Sequence, residues 1–278
     1  MGRRCAGIGR GAAALAAALA SCGLVSCSRS TRPTRSVVVT TSMLECIARE
    51  LLAGTSGVEV VSLLPPGSCP GHFDLAPGAL PAFRAAVLVL RHDFQGALDE
   101  KMRALGARGV AVVPVSSHGS LLVPANFRRL AGEVAAELSR SLPALGPAVA
   151  RNLGALDARA MLLEREVLGA RLPWRGAPAV ASLHQKELAE WLGLRVTGVL
   201  GRPEDVSPGE LERLVSGDAV IVVGNLQEGP QAALALGARK GVPVAVFSNF
   251  PGVEGYGSTY EDLVRANVRR LEAAWASR

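Results

Sequence analysis

Apolar positions along this chain fall into two spacings that alternate. Short β-branched runs are followed by stretches in which apolar residues recur at three and four positions, the spacing of one helix face. Ser36–Thr41 (SVVVTT) reads as a buried strand, Met43–Ala53 as the helix after it and Val58–Leu64 as the second strand. Pro65-Pro66-Gly67 ends that strand. A short helix near Pro77–Ala85, a strand Ala86–Leu90, a helix about Phe94–Leu105 and a strand Val110–Val115 complete the first series. This alternation predicts a parallel sheet with right-handed crossovers.

The middle of the chain changes character. Ala125–Leu142 and Gly146–Leu168 carry helical periodicity with no strand signal between them. A second series then follows: strand Ala179–Leu183, helix Lys186–Leu192, strand Arg195–Leu200, helix Pro208–Val215, strand Ala219–Val223, helix Pro230–Lys240, strand Val242–Phe247 and a closing helix Tyr260–Trp275. Ser207 and Pro208 supply an N-cap and first-turn pair, with Glu210 in the first turn. The expected fold is therefore α/β, two (β/α) lobes with parallel sheets joined by a long backbone helix. The expected divisions are an N-terminal lobe over 36–142, a connecting helix over 143–171 and a C-terminal lobe over 172–278. Ligands of open α/β sheets bind beyond the carboxyl ends of the strands. Two histidine loops fall at that edge, Cys69-Pro70-Gly71-His72 and Ser182-Leu183-His184-Gln185.

Residues 1–27 have the character of a secretory leader. Arg3, Arg4 and Arg10 make a positive start, and the Ala/Leu run Gly11–Ala20 is shorter than the about 20 residues needed to span a bilayer. Cys22 and Cys27 each follow a small-residue site resembling a lipobox, so either is a candidate lipid acceptor. The polar stretch 28–35 behind Cys27 suits a tether and favours that cysteine; an ordinary cleaved leader is the alternative. The expectation is a protein outside the cytoplasm, in the periplasm or at the cell surface, anchored to the membrane through lipid.

The formal charge of +6 invites a nucleic-acid reading, but the basic residues sit at the wrong end. Six of the 30 basic side chains lie within residues 1–35, leaving 24 against 24 acidic ones in the body. No charge footprint for a phosphate backbone remains. Beyond the leader the cysteines are Cys46 and Cys69. Cys46 falls at an apolar helix spacing with Met43, Leu44 and Ile47 and reads as a core thiol. A Cys46–Cys69 disulfide stays open on sequence.

Five motifs in order carry a family resemblance: Pro65–Asp74 (PPGSCPGHFD), Ser182–Gly201 (SLHQKELAEWLGLRVTGVLG), Gly224–Gln227 (GNLQ), Ser248–Gly252 (SNFPG) and the helix from Thr259-Tyr260 to Asn267. From about Val37 to the C-terminus the chain resembles the solute-binding proteins of zinc and manganese ABC transporters. The resemblance implies one metal ion in the interlobe cleft, passed to a membrane permease without chemistry. It also implies a monomer, not an enzyme. Of the family's metal ligands, His72 matches the first-lobe histidine and His184 that of the second lobe. His118 stands where a third histidine is expected, although the family's His-x-Trp before proline is here His118-Gly119-Ser120 before Pro124. Asn249 occupies the position of an acidic ligand.

Other side chains join as candidates. Cys69 and His72 have Cys-x-x-His spacing, which suits zinc from a single loop. His92 follows a strand, facing either the cleft or solvent, and Glu45 sits just beyond the first strand, where it either orients a ligand or is a solvated first-turn carboxylate. A site of imidazoles and a thiolate favours Zn²⁺ over Mn²⁺, which prefers carboxylates. Each histidine also has a plain reading: His72 as a turn cap, His184 as a polar helix start. Two other functional classes stay open. One is a receptor of the same fold that has lost metal and binds an organic ligand or acts as an adhesin. The other is a zinc hydrolase, against which the chain lacks His-Glu-x-x-His and Gly-x-Ser-x-Gly.

Overall fold

The computed structural model describes residues 35–68, 80–104, 109–169, 172–202 and 206–278. The leader, Cys22, Cys27 and residues 28–34 lie outside the described residues, as do Cys69, His72 and positions 77–79 of the first short helix.

The first series forms β1 (Arg35–Val39), α1 (Ser42–Leu51), β2 (Val58–Ser62), α2 (Leu80–Arg84), β3 (Ala86–His92), α3 (Leu98–Ala104) and β4 (Val112–Val115). These strands make a parallel sheet in the order β2-β1-β3-β4. Two long helices follow, α4 (Pro124–Ser141) and α5 (Gly146–Gly169). The second series is β5 (Pro178–Ser182), α6 (Lys186–Trp191), β6 (Arg195–Leu200), α7 (Pro208–Ser216), β7 (Ile221–Asn225), α8 (Gln231–Lys240), β8 (Val244–Phe247) and α9 (Tyr260–Ala276). It repeats the order as β6-β5-β7-β8, again parallel. The two-lobe α/β architecture expected from the periodicity is therefore present.

The central strands β1, β3, β5 and β7 are mostly apolar because both faces of each sheet are covered there. Val37 and Val39 point into the large core shared with α1, α4 and α5, while Val38, between them, packs with Phe83, Val89 and Met102 on the other face. In the second sheet Ala179, Ala181, Ile221 and Val223 join the large core, and Val180 and Val222 face Ala233 and Leu236. The period of two thus sorts one run of valines and alanines into two cores. Trp174 is fully buried; its indole N–H donates to Leu192 O at 2.8 Å, and its ring meets Trp275 edge-on at 6.5 Å. At α7, the Glu210 N–H donates to Ser207 Oγ and the Ser207 N–H to Glu210 Oε2, the reciprocal cap expected there.

Several element ends shift by a residue or two from the periodicity, and two differences bear on the site. Strand β3 runs past Leu90 to His92, because Arg91 is paired with Asp99 through two contacts and His92 is hydrogen-bonded, so neither needs solvent. The helix expected over Phe94–Leu105 is instead a single tight turn, Asp93–Gln95, followed by α3 beyond Gly96. Cys46 is a buried free thiol, its pKa pushed up to about 12 by burial and by Glu50. Among the described residues no helix is long and apolar enough to cross a membrane.

Both lobes are fastened to the central helices. Arg159 of α5 pairs with Glu50 of α1 and, at 2.8 Å, with Glu261 of α9. Phe127 of α4 stacks on Tyr260 of α9 with ring centroids 3.6 Å apart, and the Tyr260 hydroxyl donates to Leu122 O at 2.9 Å. The Ser42 hydroxyl donates to Pro251 O at 2.8 Å. The ion pairs are solvent-exposed and contribute little; the buried ring stack and its hydrogen bond set the relation between lobes.

Candidate functional site

In each sheet the chain leaves the second-position strand in one direction and later continues in the other, which opens a crevice between β1 and β3 and another between β5 and β7. The site is built from the segments that follow these strands. Ser182 ends β5, and Leu183–Gln185 make one tight turn before α6, placing His184 at the edge of the sheet. On the neighbouring strand, the Asn225 side chain at the end of β7 accepts the backbone N–H groups of Gln227 and Glu228 at 2.8 and 3.3 Å. This Asx turn aims Glu228 back across the crevice. His184 Nε2 stands 3.2 Å from Glu228 Oε1, and Arg202 Nε, just past β6, stands 3.5 Å from the same oxygen. Contact with the Glu228 carboxylate holds the His184 imidazole above the ordinary histidine range, against partial burial. Burial raises Glu228, but His184 and Arg202 outweigh it and leave the carboxylate below its usual range.

Asn249 lies on the same edge, after β8. Its Oδ1 accepts from Gln185 Nε2 at 2.8 Å, and its backbone N–H donates to Gln227 Oε1 at 2.9 Å. Gln227 in turn donates to the Ser248 hydroxyl, and Ser248 exchanges two hydrogen bonds with the Asn267 carboxamide on α9. A web of neutral amides therefore fixes the Asn249 loop.

The first sheet presents its own histidine differently. His92 is 0% exposed at the end of β3; Thr41 Oγ1 lies 2.9 Å from its Nε2 and Ser117 Oγ 3.0 Å from its Nδ1. Both ring nitrogens are engaged by hydroxyls, and burial pushes its pKa down to about 4. An unfolded histidine titrates near 6.5. Between these values the unfolded chain binds a proton that the folded one refuses, so stability falls as pH drops from about 6.5 toward 4, by about 1.4 kcal/mol per pH unit, and is unaffected above 6.5. Urea midpoints measured across this range should show that slope in the native chain and lose it in His92→Gln.

His118 turns toward Glu133, with Nε2 at 3.3 Å from Oε1, and does not line the cavity. Its neighbour Gly119 does, at φ +81°. A Cβ there would come 2.5 and 2.7 Å from the two Glu187 carboxylate oxygens. That carboxylate clasps the lobes by accepting from Asn126 Nδ2 at 2.7 Å and from the Ser120 N–H. Gly119→Ala is expected to cost about 1–3 kcal/mol, through left-handed backbone strain and the broken clasp, in urea unfolding; Glu187→Ala reports the clasp alone.

A cavity of about 650 Å³ opens between the lobes. His184, Arg202, Glu228 and Asn249 line its second-lobe wall; Phe94 and Leu183, both more than half exposed, add apolar surface. Of the residues singled out from the sequence, His184 and Asn249 meet here. His92 is sealed behind hydroxyls, and Glu45 pairs with Arg49 one turn along α1. Among the described residues no three His, Cys, Asp or Glu side chains converge to hold a metal ion. Sequence reasoning missed Glu228. The Gly224–Gln227 motif stops one residue short of it, and the signal that would find it is topological: Glu228 follows the strand adjacent to the one His184 follows.

The fold is shared with solved metal-binding proteins. A structure described as the crystal structure of ZnuA superposes with a TM-score of 0.71 at 17% identity over 87% of this chain and 99% of that one. A zinc-bound ZnuA with residues 138–173 deleted gives 0.69 at 18% identity, over 87% and 98%. A manganese-bound periplasmic metal-binding protein from Candidatus Liberibacter asiaticus gives 0.68 at 14%, over 85% and 98%. At these identities the likeness shows the fold. No curated protein matches the chain by sequence. The sequence model of the family described as zinc-uptake complex component A, periplasmic (ZnuA), matches residues 37–274, nearly all of the chain beyond its first 36 residues. The chain belongs to the ZnuA family of periplasmic zinc-uptake components.

Proposed function

We propose that this protein is an extracytoplasmic receptor that captures a divalent transition metal, zinc before manganese, in the interlobe cavity and delivers it to an ABC transporter permease. The observation that carries this reading is His184: in a chain of this family, its imidazole stands at the crevice of the second sheet beside a carboxylate and lines the cavity. His72, which follows β2 in the sequence, is proposed as the ligand from the first lobe, with Cys69 as a further donor. Imidazole-rich ligation favours zinc over manganese. The protein binds and releases its cargo without transforming it, works as a monomer, and is tethered through lipid on Cys27 or Cys22.

Metal content by mass spectrometry on the purified protein, followed by zinc calorimetry on the stripped sample, tests this. About one zinc per chain, lost in the His72→Ala/His184→Ala double variant, is expected. No zinc at micromolar concentration overturns the reading. Mass spectrometry of the N-terminal peptide from cells producing Cys27→Ser or Cys22→Ser identifies the acylated cysteine.

A second reading is favoured by two observations. A cavity of about 650 Å³ falls in the 300–1,000 Å³ range of small-molecule sites, and Arg202 places a cation on its wall. An organic anion, alone or chelating a metal, fits both. A stripped sample that ignores free zinc but binds a small carboxylate would select it.

A further inference from the structure

We propose that Glu228, and not the residue at the usual acidic position, Asn249, supplies the carboxylate oxygen to the captured cation. The inference rests on the metal-receptor reading and assigns one donor within it.

Three observations converge on Glu228. The first is distance. Two donors, each about 2.0–2.2 Å from one tetrahedral zinc, lie roughly 3.3 Å apart. His184 Nε2 and Glu228 Oε1 are 3.2 Å apart, so an ion can sit between them with small movements of the two side chains. The second is surroundings. Glu228 Oε1 is shielded from solvent and has no hydrogen-bond partner of good geometry; the groups nearest to it are the ion-pair partners His184, at 3.2 Å, and Arg202, at 3.5 Å. A buried carboxylate oxygen without a hydrogen bond is costly, and a cation bound there would compensate it.

The third observation is placement. Glu228 follows β7 and His184 follows β5, the two strands that flank the crevice of the second sheet, and the Asx turn on Asn225 fixes the backbone that carries Glu228. Asn249 sits differently. Its carboxamide oxygen accepts from Gln185, its backbone is held by Gln227, and it brings no charge to a divalent ion. Loss of an acid at one position of this edge is thus balanced by an acid one strand over, whose charge sits against the histidine. Arg202 Nε stands 3.5 Å from the same Glu228 oxygen and must swing aside when a cation enters.

Competition of the full chain against a chromophoric chelator, with zinc as the probe, and the visible absorption of bound cobalt test this. Glu228→Gln keeps the shape and removes the charge; zinc affinity is expected to fall 10-fold to 100-fold and the cobalt band to change. Glu228→Asp should retain the cobalt band with an intermediate affinity. Asn249→Ala should stay within threefold of the native chain with an unchanged band. Wild-type-like zinc affinity and cobalt spectrum in Glu228→Gln, with binding lost in His184→Ala, overturn the assignment and leave the receptor reading intact. Loss of binding in Asn249→Ala with Glu228→Gln unaffected returns the role to Asn249. Absence of zinc binding in the native chain overturns the receptor reading and this assignment with it. Thermal melts of the stripped variants separate lost ligation from lost folding.

Discussion

His184→Ala is expected to weaken zinc binding by more than 100-fold. The imidazole is the nitrogen donor that the described residues place at the cavity wall, on a turn fixed by β5 at one end and α6 at the other. Changing residues that merely support a ligand costs roughly 10–100-fold in metal affinity, so removing a ligand itself exceeds that. The alanine variant also leaves Glu228 without its nearest neutralising partner in the stripped protein, which costs some stability without adding a donor. Calorimetry at pH 7.5 on His184→Ala, with Lys186→Ala as a neighbouring exposed control, measures the effect. Equal affinities in the two variants would remove His184 from the site.

Phe127→Ala is expected to destabilise the fold by about 3–5 kcal/mol, the cost of truncating a large buried aromatic residue. Phe127 belongs to α4, whose remaining apolar face lies against the first lobe, while its ring stacks on Tyr260 at the start of α9 in the second. For a chain of this size such a loss lowers the melting temperature by roughly 6–20 °C. Tyr260→Phe removes only the hydroxyl that Leu122 O accepts from, leaving that buried carbonyl short of a donor at a cost of about 1–3 kcal/mol. Urea unfolding of the two variants side by side should reproduce this order. The same fastening, with Ser42 on Pro251 and Glu187 on Asn126, limits hinge opening. Solution scattering with and without zinc should therefore show a radius of gyration changed by little.

The central strands were legible because they are buried on both faces and are consequently near-continuous apolar runs, as in Ser36–Val39 and Ile221–Val223. The long helices were legible because α4 keeps one apolar face over its length. Boundaries failed where polar residues are buried by partners distant in sequence. Arg91 and His92 extend β3 because Asp99, Thr41 and Ser117 satisfy them, and no local pattern announces those partners.

The candidate site divides along the same line. His184 and the Asn249 loop could be read locally, since each follows a strand in a recognisable motif. The fate of His92 could not, because whether a histidine after a strand faces a cleft or is enclosed depends on Thr41, 51 residues away, and Ser117, 25 away. Glu228 was invisible for a related reason. Its partner His184 is 44 positions earlier, and only the parallel pairing of β5 with β7 sets their strand ends side by side.

By itself, then, the sequence determined what depends on periodicity and on ordered motifs: two parallel α/β series, the helical segment between them, the family and the sheet edge where the candidate site lies. The tertiary structure alone decided which polar side chains meet at that edge. Hydrophobic burial repeats along the chain with a period that neighbouring residues reveal, whereas a charged pair across a crevice is fixed by strand order, which brings together residues that no local spacing relates.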